Sequence, residues 1–484
     1  MSEIYVFFIQ SIKKSLSAKY LEYVIKLISL IVFARMFTPE EFGSIAILQV
    51  FIVFFMMISE VGIGPAIINF EKIKSSEKDG LFSICFIFAT LSSVAFYFFL
   101  YFINYIYNKT GYENFGVLIC VAIFFNTLSI VPLNLLYRER LYFSVMKAVI
   151  IAEIVSLICA VIIYKTSFLN GIWILSLIPC LTAIVKFLML FKFTNNSLKF
   201  GRDLSVISKV WKFSTYQLMF NILNYFSRNS DNILVGKYIG MDALGIYGKA
   251  YEIMRYPLQL LTFAFSPAVQ KSVAENYTDV KVVKCLHEKL AINLLFGGGF
   301  FGVIFFTLSP EIVHILLGDN WLQVSPLLTI FSFIVPLQVL LSSSGGFFQG
   351  MRRTDVMFKS GLFSSVTNVS AIILGISSGS IIILAKCLVV SFSINTFQCY
   401  YLLYKEVFKS NFSSFAKVIL YGISPYALFI FPYIYIGGGK FLFNSNIVSL
   451  LLNGAFFTVC YSLCVIIVTF VRRNIKNVHF FVSN

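Results

Sequence analysis

Charge is scarce in this chain: Asp, Glu, Lys and Arg supply 12% of 484 residues, against 58% hydrophobic residues. A soluble domain of that length cannot hide so much apolar surface, so lipid must be the solvent for most of it. Acid is scarcer than base, 22 residues against 38, for a formal net charge of +16. Such a surplus in a soluble chain would point to nucleic acid. Here the bases lie between apolar runs, and no nucleic-acid partner is expected. Histidine is rarer still: His287, His314 and His479 are far apart and suggest no metal site. Of the nine Cys, eight lie inside apolar runs and Cys285 in a basic loop, without ligand spacing. They read as small hydrophobes rather than a disulfide framework. The glycine clusters "GGGFFG" (297–302), "SGG" (344–346) and "GGGK" (437–440) lack the Lys-Ser/Thr ending of a phosphate-binding loop. No cofactor is expected, and any energy input would come from an ion gradient, H+ or Na+, or from consumption of the product. Lys13, Lys14 and Lys19 are not followed by an A-x-A site, so no cleavable signal peptide is expected.

What is present is a series of long apolar runs. A spanning helix needs about 20 mostly apolar residues. That rule places spans at 18–36, 42–62, 81–104, 115–136, 144–164, 172–191, 211–235, 244–265, 289–309, 325–348, 357–376, 380–403, 416–436 and 447–471. The expectation is an all-α polytopic membrane protein of about 14 transmembrane helices, 12 if the charge-interrupted runs 211–235 and 244–265 fail. With the N-terminus inside, alternate connections carry 23 Lys and Arg on one side and only Lys109, Lys165, Lys237 and Lys440 on the other. The positive-inside rule then puts both termini in the cytoplasm. No connection is long enough to fold by itself; the longest runs from Ser266 to Glu288. Whatever the chain does is done between its helices.

A repeat is visible. "ARMFTPEEFGSIAI" (34–47) overlays "VGKYIGMDALGIYGK" from 236 at an offset of 202, so Arg35 falls on Lys237, Glu40 on Asp242 and Gly43 on Gly245. Pro65-Ala66 then falls on Pro267-Ala268, and "VPLN" (131–134) matches "VPLQ" (335–338) at 204. An even number of helices per repeat makes both units enter the membrane in the same direction. The expected organisation is two six-helix lobes, 1–200 and 203–404, related by a parallel repeat. A transmembrane hairpin and cytoplasmic tail follow at 405–484.

The stretch "NYFSRNSDNILVGKYIGMDALGIYGKAYEIMRYPLQLLTFAFSPAVQKSVAE" (224–275) resembles bacterial polysaccharide exporters of the Wzx type, within the multidrug/oligosaccharidyl-lipid/polysaccharide exporter superfamily. The likeness rests on an Asp followed by "ILVG", the turn Gly240, Leu244, Gly245, Tyr247, and the later prolines. "ARMFTPEEFG" and "SEVGIGPAIINFEK" resemble the family's first loop and second helix end. The resemblance implies a flippase of the bacterial cytoplasmic (inner) membrane, not an enzyme. Its substrate would be an undecaprenyl-diphosphate-linked oligosaccharide, moved from the cytoplasmic to the periplasmic leaflet for O-antigen, capsule or exopolysaccharide synthesis. Polymerase or chain-length proteins of the same pathway would be its protein partners.

Ionisable residues at helix centres cost about 2.5–3.5 kcal/mol each on the insertion scale, and are usually paired or functional. Arg228 and Asp231 share a helix face at i, i+3 and can pair; Lys249, Glu252 and Arg255 repeat that spacing on the next helix. Arg255 lies roughly 17 Å beyond Leu244, near mid-membrane. Lys26, Glu153 and Lys386 lie at intermediate depth, and Glu22 is placed to pair with Lys26. These eight (Lys26, Glu153, Arg228, Asp231, Lys249, Glu252, Arg255 and Lys386) are the candidate lining of a cleft for diphosphate and sugar. Structural pairing is the competing reading. A drug or cation antiporter of the same superfamily would favour a more acidic cavity, and a membrane polymerase or ligase would carry a large periplasmic loop.

Overall fold

The structure, a computed structural model, describes residues 20–60, 63–64, 67, 74–194, 198–203, 222, 225–226, 228–263, 269, 272–274, 277–436 and 447–482, with side chains in the last helix described for 450–472. Their regular structure is helical throughout, as lipid demands of a backbone with no water to satisfy its N–H and C=O groups. In chain order come α1 (20–36), α2 (Pro39–Glu60), α3 (Ser75–Tyr107), α4 (Tyr112–Arg138), α5 (Tyr142–Lys165) and α6 (Gly171–Phe193). They are followed by α7 (228–238), α8 (Met241–Phe263), α9 (Val280–Leu316), α10 (Val324–Ser332 and Val335–Gly350) and α11 (Thr354–Ser377). The last three are α12 (Ile381–Val407), α13 (Phe412–Tyr435) and α14 (Ile447–Val482).

Among the described residues ten helices are long and apolar enough to cross a membrane, or eleven if the two parts of α10, bent by 64°, form one span. The shortfall from fourteen has identifiable causes. The described part of α1 is 17 residues long, and the expected span 211–235 lies largely outside the described residues. Helix α8 is long enough but carries Asp242, Lys249, Glu252 and Arg255.

By compactness the chain divides into two units, Met1–Gly245 and Ile246–Asn484. In the first, the sequence "FTPEEFG" starts α2 by local chemistry. Glu41 Oε2 accepts the Thr38 N–H at 2.8 Å, the Glu41 N–H reaches Thr38 Oγ1 at 3.3 Å, and Pro39 occupies the first helical position. Connections expected on one side of the membrane do meet. Glu40 pairs with Lys109 at 2.7 Å, and Lys237 donates to the Ile106 carbonyl. The Glu40 hydrogen bond holds the Lys109 ammonium above the ordinary lysine range. At the other end, Arg138 donates to the Ile67 carbonyl at 2.8 Å, and Ser76 to Asp203 at 3.0 Å. Between them Ile67, Leu81, Cys85, Leu128 and Val131 form a dry core.

A reciprocal contact joins α2 to the first turn of α8. A Cβ on Gly43 would stand 1.8 Å from the Met241 carbonyl oxygen, and one on Gly245 would stand 1.9 Å from that of Pro39. The offset of 202 relates Gly43 to Gly245 and Pro39 to Met241. Each glycine therefore meets the repeat counterpart of the residue four positions before itself. Such an isologous contact is what a local two-fold relation produces. Glycine is required at both places because the backbones touch.

In the second unit the Asp279 side chain caps α9, accepting from the N–H groups of Lys281 and Val282 at 3.1 Å. One end gathers the connections expected together: Arg353 donates to the Glu406 carbonyl at 2.8 Å, Lys284 lies 3.2 Å from Ser414, and Arg352 covers the Tyr277 ring at 4.5 Å. Helices α11 and α12 pack along a polar seam. Thr367 donates to Asn395 at 2.6 Å, while Asn395 and Ser391 both donate to Asn368 at 2.8 Å. In hydrocarbon such side chains satisfy one another across the helix pair.

Candidate functional site

In the first unit the apolar helices α1, α5 and α6 each carry ionisable residues, and the fold brings them together. Lys26 and Glu22, one turn apart on α1, form an ion pair at 2.6 Å, as their spacing predicts. Glu153 on α5 lies within electrostatic range of both and of Lys186 on α6. Lys186 in turn donates to the Asn126 side-chain oxygen on α4. The result is two cations and two carboxylates, with an amide completing the set. Lys26 remains 45% exposed at the side chain, so this is not a sealed core pair.

In the second unit the i, i+3 spacing on α8 acts as read. Lys249 pairs with Glu252 at 2.8 Å, the lysine side chain 11% exposed and the carboxylate 44%. The exposed Arg255 guanidinium lies 5.3 Å from the centroid of the Tyr251 ring. Tyr251 itself packs edge-on against Phe331 of α10 at 5.6 Å and Phe392 of α12 at 6.3 Å. An aromatic platform thus sets the arginine in place without neutralising it. An arginine so held can grip a phosphate with two parallel hydrogen bonds, whereas a lysine offers a point charge.

One expected pairing is not formed. Asp231 is 7% exposed and accepts the Asn232 N–H at 2.8 Å, while Arg228 is exposed. Among the described residues no ion pair joins the two. Spacing puts both residues on neighbouring parts of a face, but burial separates them: the aspartate turns inward and the long arginine outward. Lys386 is exposed on α12 and in no ion pair among the described residues. The reading from sequence overlooked Lys186, which sits seven residues before the end of α6 in "LTAIVKFLML". A single lysine that far from a helix end is itself the signal, since its four-carbon stem only just reaches the interface. Among the described residues no three His, Cys, Asp or Glu side chains gather as a metal site would require.

Comparison with known proteins adds the lineage. Residues 32–326, well over half of the chain, match the family described as "Polysaccharide biosynthesis protein". The teichuronic acid biosynthesis protein TuaB of Bacillus subtilis is 28% identical over 163 residues, 32% of this chain and 32% of its own length. The match thus spans about a third of that relative, and 40% of the amylovoran biosynthesis protein AmsL of Erwinia amylovora. The succinoglycan biosynthesis transport protein ExoT of Rhizobium meliloti is 20% identical over 74% of this chain and 72% of its own. Among solved structures, the lipid II flippase MurJ superposes with a TM-score of 0.75 over 95% of this chain and 99% of its own, at 16% identity. An inward-facing multidrug resistance transporter of the MATE family and MOP superfamily follows at 0.57, over 81% and 98%, at 13% identity. The fold is therefore that of this membrane transporter class, and the chain belongs to the polysaccharide biosynthesis protein family.

Proposed function

We propose that the chain is a flippase that moves a polyprenyl-diphosphate-linked oligosaccharide from the cytoplasmic to the periplasmic leaflet of a bacterial inner membrane. The observation that supports this reading is the charge gathered on the helices of each unit: Lys26, Lys186 and Glu153 in one, Lys249, Glu252 and Arg255 in the other. A diphosphate with its sugars must cross about 30 Å of hydrocarbon. Cations neutralise the phosphates, carboxylates and amides exchange hydrogen bonds with sugar hydroxyls, and the prenyl tail stays in lipid. Cations already paired with carboxylates bind moderately, because the substrate must displace an internal partner. Release at the far side depends on that moderation. The lobes 1–200 and 203–404, the hairpin 405–484 and cytoplasmic termini belong to this reading, with alternating access as its mechanism. The names of ExoT and MurJ support it. Polymerase or chain-length proteins are its protein partners, and a proton or sodium gradient is the candidate energy source.

The MATE fold keeps an antiporter as the second reading. Basic residues at depth that equal or outnumber the acidic ones favour an anionic cargo instead. The test is the leaflet location of lipid-linked oligosaccharide after depletion of the protein from its host. Accumulation on the cytoplasmic face is the expected result. Single repeat units accumulating on the periplasmic face would assign the protein to a later step, and unchanged glycan output with no accumulation would favour the antiporter.

A further inference from the structure

Helices α9, α13 and α14 of the second unit line a groove that holds a cavity of about 620 Å³, within the size range of small-molecule sites. Its lining changes character along its length. Glu288 of α9, Lys417 and Tyr421 of α13 and Arg472 of α14 stand at one end and Leu428 at the other, while Ile467 and Val468 of α14 and Ser424 of α13 also line the wall. Lys417 lies in the second turn of α13, and Arg472 closes the apolar stretch Leu450–Arg472. The polar end is therefore near the membrane surface. Leu428 lies roughly 16 Å deeper, at about 1.5 Å per residue.

The charge at the mouth is one-sided. Lys284 lies 3.8 Å from Glu288 and offsets it. Arg472 covers the Tyr421 ring at 4.2 Å, which orients the guanidinium but leaves its charge. Among the described residues neither Lys417 nor Arg472 is in an ion pair. Two available cations above an apolar channel suit an amphiphile with an anionic head, and basic pockets between transmembrane helices are recurrent sites for acidic lipid headgroups. The neighbours of Arg472 on α14 are Ile467, Val468 and Val471. They give the α14 wall an apolar surface, while Ser414, Tyr421 and Ser424 supply the uncharged polar side chains of the α13 wall.

We propose that this groove binds an anionic glycerophospholipid, its phosphate held between Lys417 and Arg472 and an acyl chain running from Val468 toward Leu428. None of the groove's lining residues is among the charges assigned to transport, and its occupancy is independent of whether the chain flips a lipid-linked sugar.

The test is direct binding to the full-length protein in detergent, using fluorescent phosphatidylglycerol and phosphatidylcholine with the same chains. Phosphatidylglycerol should bind more tightly, and Lys417→Ala with Arg472→Ala should weaken it by about 10- to 30-fold, the loss of two phosphate-facing cations, with phosphatidylcholine unchanged. Leu428→Trp, which fills the channel from an exposed position on α13 without touching the charges, should weaken both lipids. It carries the test alone if the double variant does not fold. Equal affinity for the two lipids, or unaltered phosphatidylglycerol binding by either variant, would overturn the proposal. So would displacement of phosphatidylglycerol by undecaprenyl phosphate at lower concentration than unlabelled phosphatidylglycerol requires, which would give the groove to the prenyl substrate.

Discussion

Lys249 is the more buried partner of its pair and Glu252 the more exposed. Removing the glutamate therefore takes a carboxylate from a cation in a poorly solvated place, whereas removing the lysine leaves a carboxylate that can reach water. The same asymmetry governs the first unit, where Lys186 stands between Glu153 and Asn126. Lys186→Met should lower thermal stability in detergent, and Glu153→Gln in the same chain should recover part of the loss. The expected coupling energy is about 0.5–3 kcal/mol in a double-mutant cycle, typical of residues in one polar network. Additive effects would show that the two do not share a site. For transport, Arg255→Ala should impair glycan export more than Arg228→Ala at matched protein levels. Arg255 is held by Tyr251 on a three-helix aromatic platform, whereas Arg228 is exposed without its expected partner. Equal and full export by both variants would remove these residues from the substrate path.

At the scale of helices, the decisive contact is the close approach of α2 and α8. Packing errors in a dense interior typically cost about 1–3 kcal/mol. A Cβ under 2 Å from a backbone oxygen can be relieved only by moving a helix, so Gly43→Ala and Gly245→Ala should each cost at least the upper part of that range. Gly248→Ala on the same α8 meets nothing within 4 Å and should be neutral or slightly stabilising, since alanine is the better helix former. Thermal unfolding of the three variants distinguishes a backbone contact from a general intolerance of the helix. The glycines were visible in sequence as equivalent positions of a repeat, but nothing in the spacing said that they face each other. Helix α8 shows the converse. Its i, i+3 charges are legible as a face, and the Lys249–Glu252 pair follows from local geometry alone. The Arg228–Asp231 pair has the same spacing and does not form, because burial acts differently on its two ends.

For the whole molecule, the threading expected from charge makes a prediction about sidedness. Single cysteines at Lys109 and Lys165, in a chain cleared of its native cysteines, should react with an impermeant maleimide in intact cells. Those at Arg353 and Lys405 should react only after the membrane is opened. A reversed pattern at either pair would invert the orientation. The residues that meet at one end of each unit, Glu40 with Lys109 and Arg353 with Glu406, agree with the alternation. Composition and periodicity by themselves determined that the chain is helical, enters lipid many times and carries a repeat. Those properties follow from solvent transfer and hydrogen-bond satisfaction, which act residue by residue along the chain. Only the tertiary structure decided that Lys186 joins Lys26 and Glu153, that Arg228 and Asp231 part, and that α9, α13 and α14 leave a basic-mouthed groove. Such contacts are set by the rotation of each helix about its axis, and that rotation depends on which small residues let neighbouring backbones touch.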